Sequence, residues 1–268
     1  MYPEFHLLGF SFNSQLTLVI LAFLVGTIYA VHRLNSESPP IKASTLMGLF
    51  VLGSAFLGAK VYWFIQYDSL TNLLHGTRNS GMVYYGGLIG GIVGLATYLK
   101  ITKLPFIRVA DICCPYAALG EAAGRIGCFL NGCCSGQVST LPWAVSFPRT
   151  GLNFEEQLLS SCVPAMPQHS LPVHPTQLYM AMGLVAIFML LKWSQRRERF
   201  AGHTTLLFFF LHGIVRFTVE FFRIGNRPIL SMTVSQMIGL SSITGAIAAY
   251  LLVRWYLGHC TAATQQVS

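Results

Sequence analysis

Two stretches of this chain combine residue types that could do chemistry on an anion beside hydrocarbon. The first is Gly120 to Gly136, GEAAGRIGCFLNGCCSG, in which Glu121 and Arg125 sit among small residues. A guanidinium at membrane depth needs an anionic partner, and lipid phosphate is the anion a bilayer supplies. Its glycines, Gly120, Gly124, Gly127, Gly132 and Gly136, permit positive φ, so the backbone is expected to turn sharply or to approach a ligand closely. The second stretch is His212 to Arg223, HGIVRFTVEFFR. His212, Arg216, Glu220 and Arg223 recur at four, four and three residues, which puts them on one helical face. Glu220 can pair with Arg216 or Arg223, leaving positive charge for a ligand; an internal salt bridge that fixes helix packing fits the same spacing.

Other residues carry weaker signals. His174-Pro175-Thr176-Gln177 opens a helix, and a start signal explains it as well as a site does. Lys60 lies well inside an apolar run, as a phosphate ligand or as a partner of Asp111 or Glu121. Tyr85, before Gly86-Gly87, fits an interfacial anchor. Of seven cysteines, Cys113/Cys114 and Cys133/Cys134 are adjacent pairs without C-x-x-C spacing, so no metal centre is signalled. Cys128 and Cys133, five apart, leave a disulfide open. Redox or metal chemistry at Cys128, Cys133 and Cys134 is the less favoured reading, because small thiols in a packed segment mostly serve packing.

The elements that must position these groups are membrane helices. Only 10% of the 268 residues are charged and 53% are hydrophobic, against about 25% charged in a soluble domain. Mean hydropathy is +0.57. Apolar runs at about 14–32, 45–66, 82–99, 106–123, 175–193, 203–223 and 233–256 predict an all-α integral membrane protein, a bundle of about seven transmembrane helices in one domain. A longer segment, 124–173, joins the fourth and fifth spans and is expected to form the site outside the membrane. Arg33, Lys42, Lys100, Lys103, Arg108, Lys192, Arg196, Arg197, Arg199 and Arg254 then share one side, so the N-terminus is expected outside and the C-terminus in the cytoplasm. The net charge of +8 therefore marks topology; the basic residues form no long exposed patch for nucleic acid.

The motifs together resemble the prolipoprotein diacylglyceryl transferase family. Asp111-x-x-x-Pro115 leading into Gly124-Arg125-x-Gly127-x-Phe129-x-Asn131-Gly132 is similar to its signature. Gly58-Ala59-Lys60, Gly86-Gly87-Leu88-Ile89-Gly90, Thr140-Leu141-Pro142-Trp143, His174-Pro175-Thr176-Gln177-Leu178-Tyr179, Arg216 with Glu220-Phe221-Phe222-Arg223, and Gln236 match in order. The chain departs from the family at Cys128, where the family has Asn, and at Cys133, where it has an acidic residue. Tyr85 stands where the family usually has His, and His212 where it has Tyr.

The resemblance implies transfer of a diacylglyceryl group from phosphatidylglycerol to the lipobox cysteine thiol of a prolipoprotein, with release of glycerol phosphate and no cofactor. The partners implied are phosphatidylglycerol and prolipoprotein signal peptides carrying a lipobox cysteine, in the bacterial inner membrane. Arg125 and Arg216 are expected to grip the phosphate, with Glu220 holding Arg216, and Asn131 to bond the head group or the loop. His212, with Tyr85 exchanged opposite it, is expected to serve the thiol proton. Arg223, Lys60, His174 and Gln177 complete the expected substrate-binding set. A relative acting on another thiol or lipid acceptor, and a non-catalytic lipid- or anion-binding membrane protein, are the alternatives. A transporter of repeated halves has no support, since no internal repeat is visible.

Overall fold

The computed structural model describes residues 4–7, 10–37, 41–67, 84–148, 169–197, 199–223 and 232–265. Among these lie seven α-helices: α1 Ser14–Asn35, α2 Leu46–Tyr67, α3 Tyr84–Thr102, α4 Phe106–Asn131, α5 Thr176–Ser194, α6 His203–Glu220 and α7 Val234–Gln265. Two short antiparallel strands, β1 Glu4–Leu7 and β2 Phe10–Asn13, precede α1 and add to the helical expectation, with Glu4 opposite Asn13. Arg78, Arg149, Arg227 and Cys162 lie outside the described residues.

Five of the helices fall close to the apolar runs, and α7 continues past its run to Gln265. The fourth also runs on: α4 extends to Asn131, so Gly120, Gly124 and Gly127 are helical rather than sites of a turn. Of the five glycines, only Gly132 takes a positive φ, 67°. The segment between α4 and α5 therefore begins at Gly132, and what part of it can be described is irregular with isolated antiparallel bridges, among them Val138–Val173 and Val145–Val173.

Among the described residues, four stretches are long and apolar enough to cross a membrane: Ser14–Asn35, Leu46–Ile65, Thr176–Arg197 and Val234–His259. Neither α4 nor α6 meets that standard. These are the two helices that carry Glu121, Arg125, Arg216 and Glu220, so the charges that lower their hydropathy are the charges of interest.

The chain divides into two compact units, residues 27–112 in one and residues 1–26 with 113–268 in the other. In the first, Leu34, Met47, Ala59, Leu99, Val109 and Ile112 are buried. Glu37 closes it with two ion pairs, to Arg33 at 3.0 Å and Arg108 at 2.6 Å. Helices α2 and α3 meet there through small residues. A Cβ at Gly58 would stand 2.8 Å from the Cα of Gly90 and collide with the Gly86 carbonyl oxygen. Small residues four apart thus do what their spacing predicts and let two backbones touch. In the second unit, the core joins Ala118 and Ala122 of α4, Met180, Leu184, Ile187 and Leu191 of α5, and Val219 of α6.

The glycine contact makes a paired prediction. Gly58→Leu inserts bulk where backbone already sits and should cost about 1–3 kcal/mol or more, lowering the thermal midpoint of the detergent-solubilised protein. Gly53→Leu, on the same helix with nothing within 4 Å of its added Cβ, should leave the midpoint unchanged or raise it.

Candidate active site

The site is built where α4, α5 and α6 share their apolar core. On α4 the interval from Glu121 to Arg125 is one helical turn, so the side chains meet: Arg125 Nη2 donates to Glu121 Oε1 at 3.1 Å. The other carboxylate oxygen, Oε2, lies 3.0 Å from Nε2 of His212 on α6. Glu121 therefore bridges a guanidinium and an imidazole from elements far apart in sequence. The Phe208 ring stacks beside the imidazole with centroids 5.4 Å apart.

One turn further along α6, Arg216 Nη1 pairs with Glu220 Oε2 at 3.3 Å, and Arg223 Nη1 approaches the same oxygen at 3.8 Å. The charged face read from spacing is present, and its carboxylate is shared. The start of α7 fixes this cluster from outside. Thr233 Oγ1 accepts from Gln236 N at 3.2 Å, and Gln236 Oε1 accepts from Thr233 N at 2.9 Å, a reciprocal capping box. The capped Thr233 hydroxyl also donates to Glu220 Oε1 at 3.1 Å, and Arg216 Nη2 donates to Ser235 Oγ at 2.6 Å. Gln236, a motif residue without chemistry of its own, thus sets the hydroxyls that hold Glu220 and Arg216.

A second constraint acts through the turn after α4. Gly132 N bonds Phe129 O at 3.2 Å and Cys133 N bonds Cys128 O at 3.1 Å, with Gly132 in the left-handed region. This is a Schellman ending. The chain then passes under α5, where Gln177 Nε2 donates to Cys133 O at 2.7 Å and Thr176 Oγ1 to Cys134 O at 2.9 Å. Gln137 completes the clamp: its backbone N donates to Phe222 O at 2.8 Å and its Nε2 to Arg223 O at 3.0 Å. Behind the turn, Gln15 of α1 donates to Cys128 Sγ at 3.3 Å and accepts from Asn131 Nδ2 at 3.2 Å. Gly127 makes this possible, since a Cβ there would stand 2.8 Å from the Gln15 Cα.

These elements enclose one narrow pocket whose walls include Arg125, Arg216 and Arg223, together with Cys134, Thr176 and Gln177. Its free volume is about 10 Å³, room for a single water. Val219 separates it from an apolar groove of about 640 Å³ walled by Leu141, Trp143, Leu178, Tyr179, Met182 and Phe222. His174 lines that groove rather than the arginine pocket, 3.2 Å from the Tyr179 hydroxyl, which accepts from Trp143 Nε1 at 2.7 Å.

Most of the expected site residues thus converge: Arg125, Arg216, Arg223, Gln177, and, through the carboxylates, His212 and Glu220. Gln177 both lines the pocket and holds the turn, and Asn131 bonds Gln15 behind it. Lys60, with Nζ 5.9 Å from the Phe56 ring centroid, and Tyr85, in the first turn of α3, belong to the other compact unit. The sequence reading missed Glu121 as a partner of Arg125 and His212. Its spacing to Arg125 was visible, but a stretch taken as a turn offers no helical face. Thr233 and Ser235 were missed as well; the T-x-x-Q pattern of residues 233–236 is the signal that finds them.

The sequence matches the family described as prolipoprotein diacylglyceryl transferase over residues 5–253. It is 30% identical over 237 residues to the phosphatidylglycerol–prolipoprotein diacylglyceryl transferase of Finegoldia magna, covering 86% of each chain. The enzyme of the same name from Mannheimia succiniciproducens is 34% identical over 235 residues, 83% of this chain and 81% of its own. That from Erwinia tasmaniensis is 32% identical over 273 residues, 95% and 93%.

Thr233 offers the cleanest check of the α7 clamp. Thr233→Val removes a helix cap and a hydrogen bond to a buried carboxylate and should destabilise by about 2 kcal/mol or more, whereas Thr233→Ser keeps both. Thermal unfolding of the two variants in detergent distinguishes them.

Proposed function

Because the chain belongs to the prolipoprotein diacylglyceryl transferase family, we propose that it moves the diacylglyceryl group of phosphatidylglycerol onto the lipobox cysteine thiol of a prolipoprotein. A thioether forms and glycerol phosphate leaves. The observation that carries this reading is the meeting of Arg125 and Arg216, from distant parts of the sequence, in the walls of one pocket with Arg223.

The chemistry is attack of a thiolate on an sp³ carbon, and the difficulty lies in the charge that gathers on the departing phosphate. Guanidinium groups bind phosphate oxygens through paired N–H donors and stay ionised among apolar helices. Glu121 and Glu220 hold Arg125 and Arg216 at the wall of one pocket; the two side chains spread to admit the phosphate and then stabilise the charge on the leaving group. The neighbouring apolar groove suits acyl chains beside a gripped head group.

His212 takes the thiol proton in this scheme. Glu121 at its Nε2 favours the tautomer with the proton on that nitrogen, leaving Nδ1 as the base, and stabilises the imidazolium that follows. Glu220 positions both Arg216 and Arg223, Asn131 and Gln177 hold the turn, and His174 borders the lipid groove. A catalytic part for Tyr85 and a substrate-binding part for Lys60 are proposed on the family resemblance alone. The protein spans the bacterial inner membrane with seven helices, N-terminus outside and C-terminus in the cytoplasm; the basic residues of the alternate loops support this orientation.

The test is transfer in detergent from phosphatidylglycerol to a lipobox-containing peptide, followed by mass spectrometry. Wild type should add one diacylglyceryl group per cysteine. Arg125→Ala and Arg216→Ala should each lose on the order of 10²-fold or more. His212→Ala should lose about 10²–10⁴-fold, with smaller losses at higher pH as the peptide thiol ionises unaided. Full activity in Arg216→Ala excludes the scheme. An inactive wild type that still binds the lipid favours a relative with another acceptor.

A further inference from the structure

A group of side chains beside the arginine pocket has no part in the transfer scheme. The sulfurs of Cys128, Cys133 and Cys134 all lie within 4.8 Å of one another, and none of the three is in a disulfide. The fold, rather than a sequence motif, assembles them. Cys128 and Cys133 occupy the two positions that a Schellman ending brings into contact, which explains how residues five apart come together. Cys134 then takes a φ of 62°, one of two positive values at non-glycine residues among those described, and this unusual backbone carries the third sulfur to the other two.

We propose that Cys128, Cys133 and Cys134 form a three-thiolate site for a thiophilic d¹⁰ cation, Cu(I) or Zn(II). Metal–sulfur bonds of about 2.3 Å in tetrahedral geometry set sulfurs about 3.8 Å apart, a separation the cluster reaches with small side-chain rotations. Soft thiolate donors select these cations over hard ones; three donors alone complete a trigonal Cu(I) centre and leave Zn(II) one position open. Two guanidinium groups, Arg125 and Arg223, line the same pocket as Cys134, so positive charge stands beside the thiolate donors. Gln177 and Thr176 fix the backbone carbonyls of Cys133 and Cys134, so the donor set is anchored before a cation arrives. The burial gradient runs from Cys128, buried, through Cys133 to Cys134, which is exposed and gives a way in.

The experiment uses the full chain, reduced, purified in detergent and freed of metal. One arm supplies Cu(I) from its coloured bicinchoninate complex without oxygen, the other Zn(II) from a zinc-binding dye. One equivalent per chain of at least one cation should leave the reporter, and the two arms identify which. Cys133→Ser and Cys134→Ser should each weaken uptake at least about tenfold, while Cys113→Ser should leave it unchanged. Thermal midpoints show which variants remain folded, and the exposed position of Cys134 makes its serine variant the safer of the two. Peptide mass spectrometry should find the three thiols slower to alkylate in the loaded protein. No stoichiometric uptake by folded wild type, uptake indifferent to both serine changes, or a disulfide among the three in the reduced preparation would each overturn the proposal. None of these readouts depends on diacylglyceryl transfer.

Discussion

A guanidinium among apolar helices is tolerable only when an anion faces it, and the whole arrangement around α4 and α6 follows from that requirement. Each of two carboxylates is shared: Glu121 between Arg125 and His212, Glu220 between Arg216 and Arg223. Removing either would leave buried positive charge uncompensated, which is costlier than the pair is stabilising. The three arginines still outnumber the two carboxylates, an excess of positive charge that the proposed lipid phosphate would meet.

Packing converts that electrostatic demand into a location. The apolar faces of α4, α5 and α6 meet in one core, which sets the two charged faces against each other. The capping box of α7 and the clamped turn after α4 then remove the remaining freedom, one through Thr233 and Ser235, the other through Thr176 and Gln177. Several motif residues thus act on backbone and neighbours, and the pocket's chemistry is left to a few side chains.

How much of this was legible in the sequence differs by element. The helices were, because long apolar runs have few other solutions, and the α6 face was, because its intervals of four, four and three have one helical meaning. The α4 ending was not. Glycines at 120, 124 and 127 read as freedom to turn, but in the fold Gly127 serves the close approach of Gln15, and the helix continues to Asn131. That single difference concealed the Glu121–Arg125 turn and the Schellman contact between Cys128 and Cys133. The thiol cluster needed coordinates, since neither cysteine pair carries a recognisable ligand spacing.

The central claim is that the arginines of one pocket hold a lipid phosphate. Phosphorus NMR of phosphatidylglycerol in detergent micelles, titrated with the protein, reads that contact without requiring turnover. The account predicts a broadened and shifted phosphate resonance with wild type and a resonance close to that of free lipid with Arg125→Ala/Arg216→Ala, both proteins folded by thermal unfolding. The same perturbation from the double variant as from wild type would contradict it.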